Sequence, residues 1–371
     1  MDRLKIVNVV GARPNFMKMA PLMAEYAKHP SLFAPLLVHT GQHFDDGMSD
    51  IFFRQLGMRK ADAHLGVNSG NHAQQTARVM MEMDGFLQSN PTDLVVVVGD
   101  VNSTMAATLV AAKRNIPVAH VEAGLRSFDR AMPEEVNRVV TDALSDYCFT
   151  HSEEANVNLR REGVAADKIF FAGNVMIDSL LRLKEESRHS TIRKTLGVEG
   201  AYALLTLHRP SNVDTQSTLA GILGAVRQIQ QDIAVVFPVH PRTKKRMQEF
   251  GLWEEAEGMR NLKLADPIGY LDMLHLTAHA KVVLSDSGGV QEETTLLGVP
   301  CLTLRENTER SVTVTEGTNI LVGSDPKRIL DEFRNITGSG GKRGRIPEKW
   351  DGKAAERIIR VLIENPPRRV R

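Results

Sequence analysis

The chain has 371 residues, with 46 basic and 45 acidic side chains and a formal net charge of +1. So even a balance gives no electrostatic case for nucleic acid or an anionic membrane surface. No apolar run approaches the ~20 residues that span a bilayer, and the length exceeds one ordinary core, so two domains are expected.

Residues 1–5 run directly into a strand and are read as no signal peptide. Apolar, non-alternating runs follow at 4–10, 36–40, 94–99, 118–121 and 168–171, and again at 202–207, 233–239, 281–284 and 301–304. Such runs predict strands buried on both faces, as in helix-covered parallel sheets. Helical periodicity fills 18–28, 73–86, 104–113 and 218–230 between them. Strand and helix in alternation, joined by right-handed crossovers, predict an α/β protein of two doubly wound halves. The polar stretch 184–199 carries no strand signal and is the predicted junction, separating residues 1–184 from 185–352. A last helix is predicted at 354–364. Cys148 and Cys301 stand singly at strand edges, as small buried thiols in a reducing compartment do, and the expected location is cytoplasmic.

The first strand ends in Gly11-Ala12-Arg13-Pro14-Asn15-Phe16-Met17-Lys18, which lacks the glycine spacing of a dinucleotide fingerprint. Instead Arg13 and Lys18 bracket a turn at a strand's carboxyl end, where ligands of open α/β sheets sit. Arg13 offers a fork suited to a diphosphate and Lys18 a point charge. Val98-Gly99-Asp100 ends a second strand, and His120-Val121-Glu122-Ala123-Gly124-Leu125-Arg126 repeats the arrangement one strand later. Pro133-Glu134-Glu135-Val136-Asn137-Arg138 opens a helix with early carboxylates. Asp100, Glu122 and Glu134 at one edge of one sheet are read as acid/base equipment, with clustering expected to keep them partly protonated.

In the second half, His208 and Arg209 follow one strand and His240 follows the next, both beside Ser285-Asp286-Ser287-Gly288-Gly289-Val290-Gln291-Glu292-Glu293. There a buried strand delivers Gly288 and Gly289 to the opening turn of a helix, where free N–H groups and the helix dipole favour a phosphate. Carboxylates in the first turn suit a ribose diol. The plain alternative is a glycine turn capped by Ser287. Thr308-Glu309-Arg310 and Gly317-Thr318-Asn319 are placed in loops lining the same cleft. His275 and His279 stand four apart on a helix but lack the companion ligands of a zinc hydrolase, so no metal is expected. The run Gly338-Ser339-Gly340-Gly341-Lys342-Arg343-Gly344 departs from a phosphate loop and is read as a flexible loop, and Met80, Met81 and Met83 as core filler.

Assembled in order, Gly11-Ala12-Arg13-Pro14, Thr40-Gly41-Gln42-His43, Gly99-Asp100, residues 120–126, residues 133–138, His208-Arg209, residues 285–293, Thr308-Glu309-Arg310, Gly317-Thr318 and Trp350-Asp351-Gly352 resemble the non-hydrolysing UDP-N-acetylglucosamine 2-epimerases over nearly the whole chain. The resemblance implies a GT-B fold of two Rossmann-like domains facing across a cleft, residues 353–371 packing back on the first, and usually a homodimer. It implies a UDP-sugar as substrate, with no metal or nicotinamide cofactor. The implied reaction interconverts UDP-GlcNAc and UDP-ManNAc through a 2-acetamidoglucal, supplying ManNAc-type sugars for surface polysaccharide. Ser287, Gly288, Gly289 and Arg13 would hold the diphosphate with His208 beside it, and Glu293 the ribose. The backbone near Tyr270 would meet the uracil. Asp100, Glu122 and Glu134 would surround the sugar, with Lys18 and Arg138 near the leaving phosphate. Gln42, His43, Arg209, His240 and Arg310 complete the expected substrate contacts.

Two departures stand out. Gln42-His43-Phe44-Asp45-Asp46 replaces the Gln-His-Arg-Gln/Glu-Met segment of members with a regulatory second site, so the resemblance does not extend to activation by substrate. Pro210-Ser211-Asn212 follows His208-Arg209 where many members have Arg-Glu-Asn. A C2 epimerase of a UDP-diacetamido uronic acid, a hydrolysing epimerase and a GT-B glycosyltransferase are the alternatives. The transferase is disfavoured because it needs fewer carboxylates in the first half.

Overall fold

The computed structural model describes residues 3–41, 56–67 and 70–367. Contacts divide the chain into two compact units, one formed by Met1–Ser179 with Glu348–Arg371 and the other by Leu180–Pro347.

The first unit is built on seven parallel strands: β1 Leu4–Val10, β2 Phe33–His39, β3 Ala63–His64, β4 Leu94–Val98, β5 Val118–Ala123, β6 Tyr147–Thr150 and β7 Ile169–Phe171. Their order is β3-β2-β1-β4-β5-β6-β7. The chain works outward from β1 to β3, then returns to the other side of β1 at β4. That reversal opens a crevice at the carboxyl ends of β1 and β4, the position where open α/β sheets take ligands. The apolar runs have the expected cause. Val7, Val9, Val38, Val95, Val97 and Val118 are buried together with Met83 and Leu87 of the covering helix α2, His72–Ser89. The other helices used below are α1 Arg13–Tyr26, α3 Asn102–Lys113, α4 Pro133–Leu144, α5 Glu153–Arg161 and α6 Val175–Ser187.

The second unit repeats the plan with six parallel strands in the order β10-β9-β8-β11-β12-β13. These are β8 Tyr202–Thr206, β9 Ala234–Pro238, β10 Leu262–Ala265, β11 Val282–Ser285, β12 Cys301–Thr303 and β13 Asn319–Leu321. Here the reversal lies between β8 and β11. Leu205, Phe237, Leu284 and Leu302 pack with Leu219, Ile222 and Val226 of α7, Gln216–Asp232. The helices α8 Pro241–Glu249, α9 Tyr270–His279, α10 Gly288–Leu297, α11 Ser311–Thr315 and α12 Pro326–Ser339 follow. Among the described residues no helix is long and apolar enough to cross a membrane.

Four strands, β3, β6, β10 and β13, have no counterpart in the sequence reading. All are two to four residues long, but β7, β11 and β12 are as short and carried a predictive run, so length alone does not separate them. The stretch 184–199 also differs from a plain linker. Helix α6 continues through it to Ser187, and Ile192–Thr195 form a further turn of helix.

The last helix, α13 Ala354–Glu364, packs on α1 and so completes the first unit. Its N-terminus has no cap of its own: Lys353 makes no side-chain bond there. Asp178 of α6 substitutes, accepting the N–H groups of Ala354 at 3.1 Å and Ala355 at 2.8 Å. Burial pushes this carboxyl up to about 6, against the pull of the two N–H donors. Trp350 anchors the segment just before, fully buried, with Nε1 donating to the His151 carbonyl at 3.0 Å. Trp350→Ala leaves a large cavity and an unpaired carbonyl. It should cost the first unit about 3–5 kcal/mol, measured as a lowered urea midpoint for that unit's transition.

Candidate functional site

In the first unit, the side chains expected to do chemistry stand at the carboxyl ends of β1, β4 and β5. Asn15, in the first turn of α1, sets the geometry. Its Oδ1 accepts the N–H groups of Gly11 and Ala12, both at 3.0 Å, and its Nδ2 donates to the Val98 carbonyl at 3.0 Å. Arg13 opens α1, with Pro14 beside it at the N-terminus. One turn later Lys18 reaches Glu122 at the end of β5, Nζ to carboxylate at 2.7 Å, with both side chains buried. Glu122 has φ +77°, a left-handed conformation that costs a non-glycine residue about 1–3 kcal/mol, and the register of β5 shifts there. Gly99 makes the pairing possible. It has φ +67°, and a Cβ there would lie 2.7 Å from Lys18 Nζ.

Asp100 has its own cation. Arg138 of α4 directs Nε and Nη2 at Oδ2, at 3.0 and 2.5 Å, and its Nη1 at Glu135, at 2.8 Å. Asn137 donates to the Asp100 carbonyl at 2.8 Å. Thus Asp100 and Glu122 each face a cation, Arg138 and Lys18 respectively. Lys18 and Arg138, expected beside a leaving phosphate, are engaged by these carboxylates. Glu134 is half-buried, with no bonded partner among the described residues. Glu135, named in the sequence only as an early helix carboxylate, accepts Ser127 N–H and Oγ and Phe128 N–H, each at 2.9 Å.

Beneath this layer His120 lies fully buried between Asp142, at 2.6 Å, and the Gly99 carbonyl, at 2.8 Å. Burial raises Asp142, but His120 and Arg126 outweigh it and hold the carboxyl below its usual range. Arg126 also forks onto Glu162 of the loop after α5 at 2.7 and 2.5 Å. No sequence spacing signals these contacts, because they join residues 16 to 36 positions apart.

In the second unit β11 delivers Ser287, Gly288 and Gly289 to the start of α10, as expected. Ser287 is the N-cap residue, yet its side chain makes no capping bond. The plain reading of a serine-capped turn therefore fails, and Ser287 does not supply what the first N–H groups of α10 require. Gly288 has a further reason to be glycine: a Cβ there would lie 2.4 Å from Arg310 Nη1. Arg310 is buried and pairs with Glu292 at 3.0 Å and with Glu309, which also takes Arg305 at 2.7 Å. Gln291 is fixed by Thr308, whose hydroxyl donates to Oε1 at 2.7 Å.

Glu293 is buried and accepts the Tyr270 hydroxyl at 3.0 Å, Tyr270 being the first residue of α9. Burial pushes Glu293 up to about 7, opposed by the Tyr270 bond and aided by Glu292. His208 follows β8 with Nδ1 2.8 Å from Asp286. His240 caps α8, its Nδ1 accepting Arg242 N–H at 3.2 Å, and its ring centre lies 5.8 Å from that of His208. Arg209 Nε donates to the Asp286 carbonyl at 2.8 Å. Asp286 had no role in the sequence reading.

Gly317, Thr318 and Asn319 stand at the amino end of β13, where the Thr318 carbonyl accepts Cys301 N–H. They therefore face away from the carboxyl edge, because α11 carries the chain back across the sheet. His275 and His279 have ring centres 4.3 Å apart, with each Nδ1 facing a backbone carbonyl, and no third metal ligand joins them among the described residues. Gln42 and His43 lie outside the described residues.

The family model of UDP-N-acetylglucosamine 2-epimerase matches residues 25–363. The chain belongs to this family. It is 41% identical to the UDP-N-acetylglucosamine 2-epimerase of Methanocaldococcus jannaschii, over 97% of this chain and 99% of that one. It is also 41% identical to the UDP-2,3-diacetamido-2,3-dideoxy-D-glucuronate 2-epimerase of Pseudomonas aeruginosa, over 90% and 93% of the two chains. The crystal structure of the M. jannaschii enzyme in complex with UDP-GlcNAc and UDP superposes with a TM-score of 0.90, covering 98% of this chain and 100% of that one. The two parallel sheets with flanking helices are the GT-B type architecture expected from the sequence.

Glu293 yields a pH test. Its ordinary value is 4.5 and its folded value about 7. Between these the unfolded chain releases a proton that the folded chain keeps, so stability falls as pH rises and levels off above about 7. The full cost is on the order of 3 kcal/mol. Glu293→Gln removes it. Thermal melting should show the variant gaining on the parent at pH 8 and not at pH 4.5.

Proposed function

We propose that the chain epimerises UDP-N-acetylglucosamine at C2 to UDP-N-acetylmannosamine without net hydrolysis. The observation that supports this most directly is the pair of cation-matched carboxylates, Asp100 with Arg138 and Glu122 with Lys18, at neighbouring strand ends of a chain in this family. In this reading residues 1–184 supply the sugar and acid/base side, and residues 185–352 the UDP side. Free N–H groups at Gly288 and Gly289 hold the diphosphate with Ser287, Arg13, His208, Arg209, His240 and Arg310. Glu293 takes the ribose, the Tyr270 backbone the uracil, and Gln42 and His43 further substrate contacts.

One carboxylate of the set Asp100, Glu122 and Glu134 takes the C2 proton as the C1–O bond breaks and UDP leaves with the bonding pair. The product is a 2-acetamidoglucal. UDP then re-adds at C1 while a proton returns to the opposite face of C2. Lys18 and Arg138 act through the carboxylates they hold: each fixes an acceptor and balances its charge as the proton moves. The sugar produced serves glycan assembly. The equal identity to the P. aeruginosa enzyme supports a second reading, in which the substrate is a UDP-diacetamido uronic acid.

Incubation in D2O with UDP-GlcNAc should give UDP-ManNAc carrying deuterium at C2 and little free UDP, followed by NMR. Exchange only with the diacetamido uronic acid would favour the second reading, and stoichiometric UDP with free ManNAc a hydrolysing enzyme. Absence of exchange with either sugar would refute epimerisation. Asp100→Asn should slow C2 exchange by about 100-fold or more and change UDP affinity little.

A second copy of the chain is the proposed partner. Val136, Val139 and Leu144 form an exposed apolar stripe on α4, where a charge would be costly in an interface. Val139→Glu should halve the mass found by light scattering; an unchanged mass would place any interface elsewhere.

A further inference from the structure

The loops after β8 and β11 meet through one side chain. Asp286 is fully buried, and its carboxylate accepts from several donors of the loop after β8. Oδ2 accepts the N–H of His208 at 3.0 Å, the N–H of Arg209 at 2.9 Å and Nδ2 of Asn212 at 3.2 Å. Asn212 also donates to the Leu304 carbonyl at 2.8 Å, tying in the loop after β12. Oδ1 shares the His208 N–H at 3.2 Å and faces the His208 ring, with Nδ1 at 2.8 Å. The His208 side chain is nevertheless 41% exposed, so one edge of the ring is bound to a buried anion and the rest is open.

An ionised carboxylate can only accept hydrogen bonds. Burial raises Asp286, but the His208 bond and the backbone donors outweigh it and hold the carboxyl below its usual range. Nδ1 of His208 therefore carries the hydrogen of that contact, and Nε2 is the atom left to meet a ligand. We infer that Asp286 is the positioning residue of His208, fixing the Nδ1–H form of the ring and the direction of Nε2.

This rests on the reading of His208 as a diphosphate contact and deepens it. With Nδ1 committed, a proton taken up at Nε2, which makes the ring an imidazolium, stands between the ring and a phosphate oxygen. The leaving UDP then meets a donor already aimed, with no ring rotation as its charge grows. No covalent change occurs at His208. The charged and titratable groups around the ring are Asp286 and Arg209, His240 with its ring centre 5.8 Å away, and Glu309, which lies 4.0 Å from Arg209.

The test begins with the parent protein labelled with 15N-histidine. NMR should show His208 with its proton on Nδ1 in the neutral ring; an Nε2–H form with bare Nδ1 would overturn the inference outright. Asp286→Asn offers an amide N–H to Nδ1 and should invert the form. Its kcat for C2 exchange should fall about 100-fold or more, with KM for the UDP-sugar changed only a few-fold. A folded Asp286→Asn protein with parental kcat would also overturn it. Asn212→Ala separates positioning from loop bolting: it should lower the melting temperature while His208 keeps its Nδ1–H signature. Loss of that signature in Asn212→Ala would count against Asp286 as its source. If UDP leaves the His208 resonances unmoved while the Nδ1–H form is present, the diphosphate reading falls and the positioning contact stands.

Discussion

A carboxylate taken out of water has to be met by a cation or by several donors, since an unpaired buried charge costs several kcal/mol. That constraint organises the carboxyl edges of both sheets. In the first unit Glu122 is reached by Lys18 and Asp100 by Arg138. In the second, Asp286 is met by His208 and backbone N–H groups, and Glu292 and Glu309 by Arg310. Each unit spends conformational strain or side-chain volume to meet it. Glu122 takes a left-handed backbone, Gly99 gives up a side chain to Lys18, and Gly288 gives one up to Arg310.

Such pairs contribute little net stability, because desolvation offsets most of the attraction. What they supply is geometry. A carboxylate whose counter-ion is a buried lysine 2.7 Å away is held in one place, with its charge already balanced. The same holds for a histidine bound by one edge to a buried aspartate. Catalysis by preorganised charge needs groups that do not reorganise during the reaction. Packed ion pairs on the ends of parallel strands meet that requirement better than side chains on free loops.

Much of this was legible in the sequence, and the boundary of what was legible is physical. The long apolar runs predicted β1, β4, β8 and β9, because strands buried on both faces need continuous apolar residues. β3, β6, β10 and β13 were missed, although β7, β11 and β12, no longer than they, were predicted. Candidate residues at strand ends could be named, because a glycine or charge directly after an apolar run is local information. Their partners could not. Lys18 meets Glu122 across 104 positions and Asp286 meets His208 across 78. Both contacts follow from strand order, and strand order is not written in any one segment. Gly317 and Thr318 show the converse: proximity in sequence to β12 suggested one edge of the sheet, and a single helical turn, α11, carried them to the other.

The first unit begins the chain and also ends it, with Leu180–Pro347 inserted between its two parts. On a ribosome this ordering matters. When Ser179 has emerged, the sheet of the first unit has all seven strands, but Asp178 still has no helix to cap and α1 has no α13 to cover it. The inserted unit has its whole sequence available earlier and can close on itself while the first waits. A chain cut short before Trp350 would leave Asp178 without the two N–H groups it accepts and α1 without its covering helix, while Leu180–Pro347 keeps its own sheet.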